Sequence, residues 1–529
     1  MVATVFRGGR VIDGTGQASV LRDVLISEGR IHAVEPPGRL DQIGGVSKVD
    51  ATGLTLAPGF IDTHAHADNS PLLTFDDTSK ILQGVTTEVN GNCGFTLAPV
   101  NSQFFDDFTT LASRIFPPFE VAWNTFSEFV ATVSDAEFVT NFVTLMGHNS
   151  LRIAVMGSDQ RTPAQHELGR MKDLLESALA DGVCGLSSGL IYPPGVFSSA
   201  AELVDLVSVM PRSAVYASHM RNEGLFLSES IDETVAIARS TGVRCHISHL
   251  KVAHMDRWHT MPQIMKRLDE YRDDGVALTH DSYPYTASST MMTALLPPWM
   301  HDGGSSPLLQ RLRSIEMRDR ARNDLNGRLA QFDSFVDAAG WDRIVVASTA
   351  SHRFEGYSVA TMAEISGKDP VDAVCDLLIE EDLKVTMIIH GINEADVQVA
   401  LCSPFTAIGS DGLPVGTGGK PHPRGYGSFV RVLDNYVKKE KLFSLEEAVR
   451  RMTSLAAEIF SIPDRGVIAP GKIADLVLFD PEGLRDHATF EDPTASPTGI
   501  HSVWIGGEQV VAESQFLGRR AGKFLRAQF

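Results

Sequence analysis

Cysteine is scarce in this chain. Its five thiols in 529 residues, at positions 93, 184, 245, 375 and 402, are too few, and odd in number, for a disulfide framework. They are read as core residues or metal ligands in a reducing compartment. Positive charge is short as well: 46 Lys and Arg against 66 Asp and Glu leave a formal net charge of −20. That balance argues against a broad phosphate-binding surface, so nucleic acid is not an expected partner. No continuous run of about 20 apolar residues is present, and the opening MVATVFRGGRVIDG lacks the long apolar core of a secretory signal. No membrane partner is expected, and the cytoplasm is the expected location.

What is present is ordinary globular material, 43% apolar and 21% charged, with 45 glycines for strand ends and tight loops. The length allows one large domain and a smaller one. Residues 1–59 carry short strand signals, as in ATVFRGGRVIDG and DVLISEGRIHAVEP, with Gly29 at a turn. From about residue 60 to 464, apolar strands alternate with helical patterns. Thr162, Pro163 and Gln165 resemble a helix start followed by Leu168, Met171, Leu174, Leu175 and Leu179 on one face, closed by Asp181 and Gly182. Ser230 with Glu233, and Ser444 with Glu447, resemble capping boxes of later helices. Such alternation favours an α/β barrel or an open α/β sheet. The strand style returns over 465–529, with Gly506 and Gly507 suited to a hairpin turn. The expected architecture is a TIM-like (β/α)8 barrel with a small β-sandwich domain formed by both chain ends. Residues 286–342 are expected to form a helical insertion.

In a β/α barrel the active site collects at the carboxyl ends of the strands. The metal-ligating residue types in this chain sit at such places. His64 and His66 in GFIDTHAHAD are two apart, so an extended backbone turns both rings to one side. Cys93 lies in EVNGNCG, His219 in AVYASHM, His249 in RCHISHL and Asp411 in FTAIGSDG. Imidazole and thiolate suit zinc, and a carboxylate either coordinates it or exchanges protons beside it. Each of these residues alone has an ordinary reading: a polar loop, a satisfied core histidine, a small buried thiol, a turn aspartate. No serine–base–acid relay and no glycine-rich nucleotide loop stands out.

The segments APGFIDTHAHAD, GVTTEVNGNCGF, GLSSGLIYPPG, YASHMRNEG, ISHLK, DSYPYTAS, IGSDG and PHPRGYG, in this order along almost the whole chain, resemble the N-acyl-D-amino-acid deacylase (D-aminoacylase) family of the metal-dependent amidohydrolase superfamily. GKIADLVLFDP is shared more widely within that superfamily. The resemblance implies a tightly bound Zn2+ held by Cys93, His219 and His249. It implies a weaker second position at His64, His66 and the shared Cys93, with Asp411 as catalytic acid/base. It further implies that Lys251, Tyr283 and Arg424, with Ser288 nearby, position the substrate carboxylate. The implied activity is zinc-dependent hydrolysis of small-molecule N-acyl-D-amino acids to a free D-amino acid and a carboxylate, with a neutral or hydrophobic D-amino acid preferred. Two alternatives stay open at this point: a hydantoinase- or dihydropyrimidinase-like cyclic amidase, and a noncatalytic amidohydrolase-like binding protein.

Overall fold

The computed structural model describes residues 3–134, 136–327, 332–413 and 419–529. Eight parallel strands among them form a barrel, labelled β1 to β8 in chain order. They are Phe60–Asp62 (β1), Val85–Asn90 (β2), Asn141–Thr144 continued by Met146–Gly147 (β3), Gly185–Gly189 (β4), Val215–His219 (β5), Arg244–Ile247 (β6), Leu278–Ser282 (β7) and Thr406–Ile408 (β8). Each pairs in parallel with the next in sequence. The ring closes where Asp411 N donates to His64 O at 2.7 Å and Ala65 bridges Gly412 in parallel. Several of these strands are buried along their whole length, β4 (GLSSG) included, as expected where helices cover a parallel sheet.

The helices between the strands start and stop for local reasons, and two of the expected starts are displaced. The helix Gln165–Asp181 begins after Ala164 rather than at Thr162, because the Glu167 carboxylate accepts from Ala164 N while pairing with Arg161. Its end is as expected, at Gly182 with φ 104°. Ser230 lies inside its helix rather than at its cap. That helix is Leu227–Thr241, and the Asn222 side chain accepts from the N–H groups of Gly224 and Phe226 just ahead of it. Ser444 does cap Leu445–Met452, accepting from Glu447 N at 3.1 Å, but the helix breaks at Thr453 before resuming over Ser454–Ile459.

The two chain ends meet in one mixed sheet, the small β-sandwich domain expected from sequence. Leu476–Phe479 lies antiparallel to Thr55–Pro58, which in turn pairs with Thr4–Val11. The Phe6 ring stands edge-on to Trp504 at 4.6 Å, so aromatic packing ties the first strand to the last part of the chain. The hairpin between Ile500–Ile505 and Glu508–Ala512 turns through Gly506 and Gly507 at φ 53° and 76°, the doubly positive pair a tight turn requires. Buried Ile12, Phe60, Val85, Val477 and Val503 share one core, which fastens this domain to the β1–β2 side of the barrel.

The residues expected as an insertion, 286–342, fall within a longer excursion between β7 and β8; of these, 328–331 lie outside the described residues. Ser288–Met291 pairs antiparallel with Thr386–Ile389, which pairs antiparallel with Ile344–Ser348. The helices Ser305–Arg313, Val359–Ser366 and Pro370–Glu380 cover this small sheet around Leu308, Val346, Met362, Leu377 and Met387. The excursion thereby forms a second wall facing the barrel mouth.

Candidate metal centre

The strand ends bring the sequence-predicted ligands together. His64 and His66 follow β1, Cys93 follows β2, His219 ends β5, His249 follows β6 and Asp411 follows β8. All six are buried. Cys93 Sγ is the hub: it lies 3.3 Å from His64 Nε2, 3.5 Å from His219 Nδ1 and 3.4 Å from His249 Nε2. The expectation that His64 and His66 face one side is met, since both Nε2 atoms point at Asp411 Oδ1, at 3.7 and 3.2 Å. Three triads have donor atoms close enough to hold one ion: His64, Cys93 and His249; His64, His66 and Asp411; and His219, Glu223 and His249.

The backbone is shaped for this convergence. Cys93, His249 and Asp411 have φ of 53°, 37° and 50°, in the left-handed region that residues with a Cβ seldom adopt. Such strain persists only where the surroundings over-determine it, and here it sits at three of the converging donors. The glycines of GNCG admit the close passage expected of them. A Cβ on Gly91, itself at φ 70°, would lie 2.2 Å from Leu145 O, and one on Gly94 2.7 Å from Asn149 Oδ1.

Electrostatics hold the thiol and the carboxylate of this set in their ligating, ionised forms. Burial opposes a thiolate at Cys93, yet His64, His249 and His219 outweigh it and hold the thiol well below its usual range. Burial likewise opposes the Asp411 carboxylate, but Arg424, with Nη1 at 2.7 Å from Oδ2, and the neighbouring imidazoles keep it ionised. His219 Nε2 is buried without a hydrogen-bond partner among the described residues. A thiolate ringed by imidazoles, an orphaned imidazole nitrogen and adjoining carboxylates form a donor set that fits zinc.

Two carboxylates were not singled out from the sequence. Glu223 Oε1 lies 2.9 Å from His249 Nδ1 and 2.6 Å from Lys251 Nζ, while its Oε2 is 3.6 Å from His219 Nε2. Asp281 accepts from His246 Nε2 at 2.8 Å and from His249 N, and faces His64 Nδ1 at 3.5 Å. Carboxylates on the far nitrogens of such histidines fix ring orientation and raise basicity. Both stand in the quoted segments YASHMRNEG and DSYPYTAS, and the four-residue spacing from His219 to Glu223 was the available signal.

The remaining sequence candidates lie beside the donors, two of them on a cavity that is also lined by His66, Cys93 and Asp411. Lys251 and Ser288 line it. Tyr283 is buried with its hydroxyl unpartnered among the described residues, and both Lys251 and Arg424 stand over its ring, at 5.9 and 4.8 Å. Burial pushes the Tyr283 phenol up to about 12, so it stays a hydrogen-bond donor. Arg424 is not free to act alone, since its Nη1 holds Asp411 while its Nη2 donates to Ser289 O at 2.9 Å. The serines of SSGLIYPPG are satisfied structurally: Ser187 bonds Gly91 O, and Ser188 bonds Tyr216 and Ser218.

The chain matches the amidohydrolase family over residues 48–188 and 314–511. It is 34% identical to a D-aminoacylase of Alcaligenes xylosoxydans xylosoxydans, over 98% of this chain and 96% of that protein. An N-acyl-D-aspartate deacylase of the same organism is 32% identical over 98% of this chain and 94% of its own length. The crystal structure of N-acyl-D-glutamate deacylase from Bordetella bronchiseptica, complexed with zinc and a phosphonate inhibitor, superposes with a TM-score of 0.83 at 32% identity over 99% of both chains.

Proposed function

The chain belongs to the amidohydrolase family, among its N-acyl-D-amino-acid deacylases, and on that premise we propose that it hydrolyses the amide bond of N-acyl-D-amino acids with zinc as cofactor. The observation that carries the reading is the placement of Cys93 Sγ within 3.3 to 3.5 Å of three imidazole nitrogens, with Asp411 beside them. Cys93, His219 and His249 are assigned the tight metal position, and His64 and His66, with the shared Cys93, the weaker one. A zinc ion there supplies Lewis acidity and lowers the pKa of water enough to make it a nucleophile near neutral pH.

The protein groups divide the remaining work by their chemistry. Asp411, ionised and unable to donate, takes the proton from the attacking water and returns it to the departing amine nitrogen. Tyr283 offers its free hydroxyl, and Arg424 and Lys251 their positive charge, to the substrate α-carboxylate, with Ser288 at the edge of the same cavity. D selectivity follows from three fixed points, since the metal-side carbonyl, the carboxylate clamp and the side-chain wall cannot all be satisfied by the opposite hand. Glu223 and Asp281 hold the imidazoles in orientation.

The test is direct measurement of amine release or ring opening by the zinc-supplemented protein on matched N-acetyl-D-, N-acetyl-L- and cyclic amide substrates. Release from the D series, with the L series and the rings little changed, is the expected result. Preferential ring opening would replace the linear-amide reading.

A further inference from the structure

Among the described residues, the cavity has one cation that the reaction described above does not use. Arg114 lies just past the helix Phe105–Ala112, on the segment that leaves β2, and it lines the cavity that also holds His66, Cys93 and Asp411. It is 91% buried, with a residual exposure of 9%. Among the described residues its guanidinium makes a single hydrogen bond, from Nη2 to the Ser305 hydroxyl, and its Nε has no partner. No carboxylate among the described residues forms an ion pair with it, and Asp382 is the acid whose charge counters the burial. Burial lowers its pKa to about 10, which still leaves it charged near neutrality.

Buried arginines are expected to be paired, because desolvating a guanidinium without an anion is costly. The other charges lining or bordering the cavity already have partners: Lys251 with Glu223, and Arg424 with Asp411. Arg114 is therefore left without a counter-charge among the described residues. The same cavity is lined by Phe95, Tyr192 and Met291, which form an apolar cluster with Cys93, and by Ile115, packed against that cluster. Such a surface favours methylenes over charge, so a ligand whose amide lies at the donor cluster would meet Arg114 through an aliphatic chain.

We propose that Arg114 makes this protein selective for substrates that carry a second carboxylate, remote from the α-carboxylate and joined to the scissile amide by an aliphatic chain. The proposal rests on the deacylase reading and deepens it. It departs from the sequence expectation of a neutral or hydrophobic D-amino acid. Overall similarity does not decide the matter, since the D-aminoacylase and the D-aspartate- and D-glutamate-specific relatives are all 32–34% identical to this chain. A second carboxylate has two sources, the side chain of an acidic D-amino acid or the far end of a dicarboxylic acyl group. Arg114 recognises the same chemistry in either.

Initial-rate kinetics of the zinc-loaded, full-length protein on four substrates separate these sources. N-acetyl-D-glutamate is compared with N-acetyl-D-glutamine, and N-succinyl-D-leucine with N-butyryl-D-leucine. The proposal predicts that in at least one pair the anionic member has the higher kcat/KM, by on the order of 10- to 100-fold, the range of a charge-assisted contact. The pair that shows the preference identifies the source. Arg114→Gln should remove the preference while leaving the neutral member within a few-fold, and Arg114→Lys should restore part of it. Turnover of the neutral members with no preference for either anionic one overturns the proposal and leaves the deacylase reading standing. Turnover of none of the four removes both. The wild-type ratios decide even if the variants fold poorly, and a preference that survives Arg114→Gln in folded protein also overturns the proposal.

Discussion

The two walls of the cavity differ in how their charges are settled. On the barrel side, every ionised group is held by another: Cys93 by three imidazoles, Asp411 by Arg424 and His66, and His249 and Lys251 by Glu223. On the opposite side, built from the segment after β2 and the excursion between β7 and β8, the surface is mainly apolar and hydroxylic, around Ile115, Ser289, Met291, Phe335 and Thr386, with Arg114 lacking a counter-charge among the described residues. The first arrangement is pre-organised for chemistry, since its groups need no partner from the substrate to hold their charge state. The second is incomplete until a substrate arrives. Chemistry and selectivity thus reside on different walls, and substitutions should separate them.

The sharpest break comes at Cys93. Cys93→Ala removes the hub of the donor set, so tight zinc and zinc-dependent turnover should both be lost, while unfolding free energy changes by about 1 kcal/mol, as for a typical point substitution. Metal content, activity and denaturant unfolding on one preparation check this, and normal tight zinc with normal activity would remove Cys93 from the assigned position. Asp411→Asn comes next. The amide keeps the shape but cannot cycle a proton, so kcat should fall roughly 10²- to 10⁴-fold with zinc largely retained. Near-normal turnover of the folded variant would end the acid/base assignment.

Arg424→Ala has a smaller and mixed effect, because that side chain serves both the substrate and Asp411. For the free acid, kcat/KM should fall roughly 5- to 150-fold, the equivalent of about 1–3 kcal/mol, and less for a neutral ester. Arg424 is the strongest of the charges depressing the Asp411 pKa, so its removal raises that pKa. Less carboxylate is then present at a given acidic pH, and the acid limb of the rate profile moves to higher pH. Equal losses on acid and ester would mean that Arg424 acts through Asp411 alone.

The same division describes what could be read from sequence. His64 and His66 were legible because a two-residue spacing on an extended segment has one geometric meaning, and the strand-helix alternation with strand-rich ends gave the barrel and its β domain. The grouping of Cys93 with histidines 126 and 156 residues away came from family resemblance, since no local pattern joins them. Glu223 and Asp281 were passed over because a single carboxylate near a helix or strand end ordinarily reads as solvated. Arg114 was invisible for a related reason: its meaning lies in the lack of a counter-charge among the described residues, which only the packed structure displays. The expected start at Thr162 is displaced because Glu167 takes the Ala164 N–H, and the one at Ser230 because the helix already begins at Leu227, after Asn222 accepts from Gly224 N and Phe226 N.

The most direct test of the account is the rate of amine release from N-acetyl-D-amino acids, acidic and neutral, and from their L enantiomers, by one preparation measured as zinc-loaded, chelator-stripped and zinc-restored protein. The account predicts release from the D series by the loaded protein, its loss on stripping, its return with zinc, and little release from the L series in any state. Equal rates on both enantiomers, or undiminished release from protein shown to be free of metal, would contradict it.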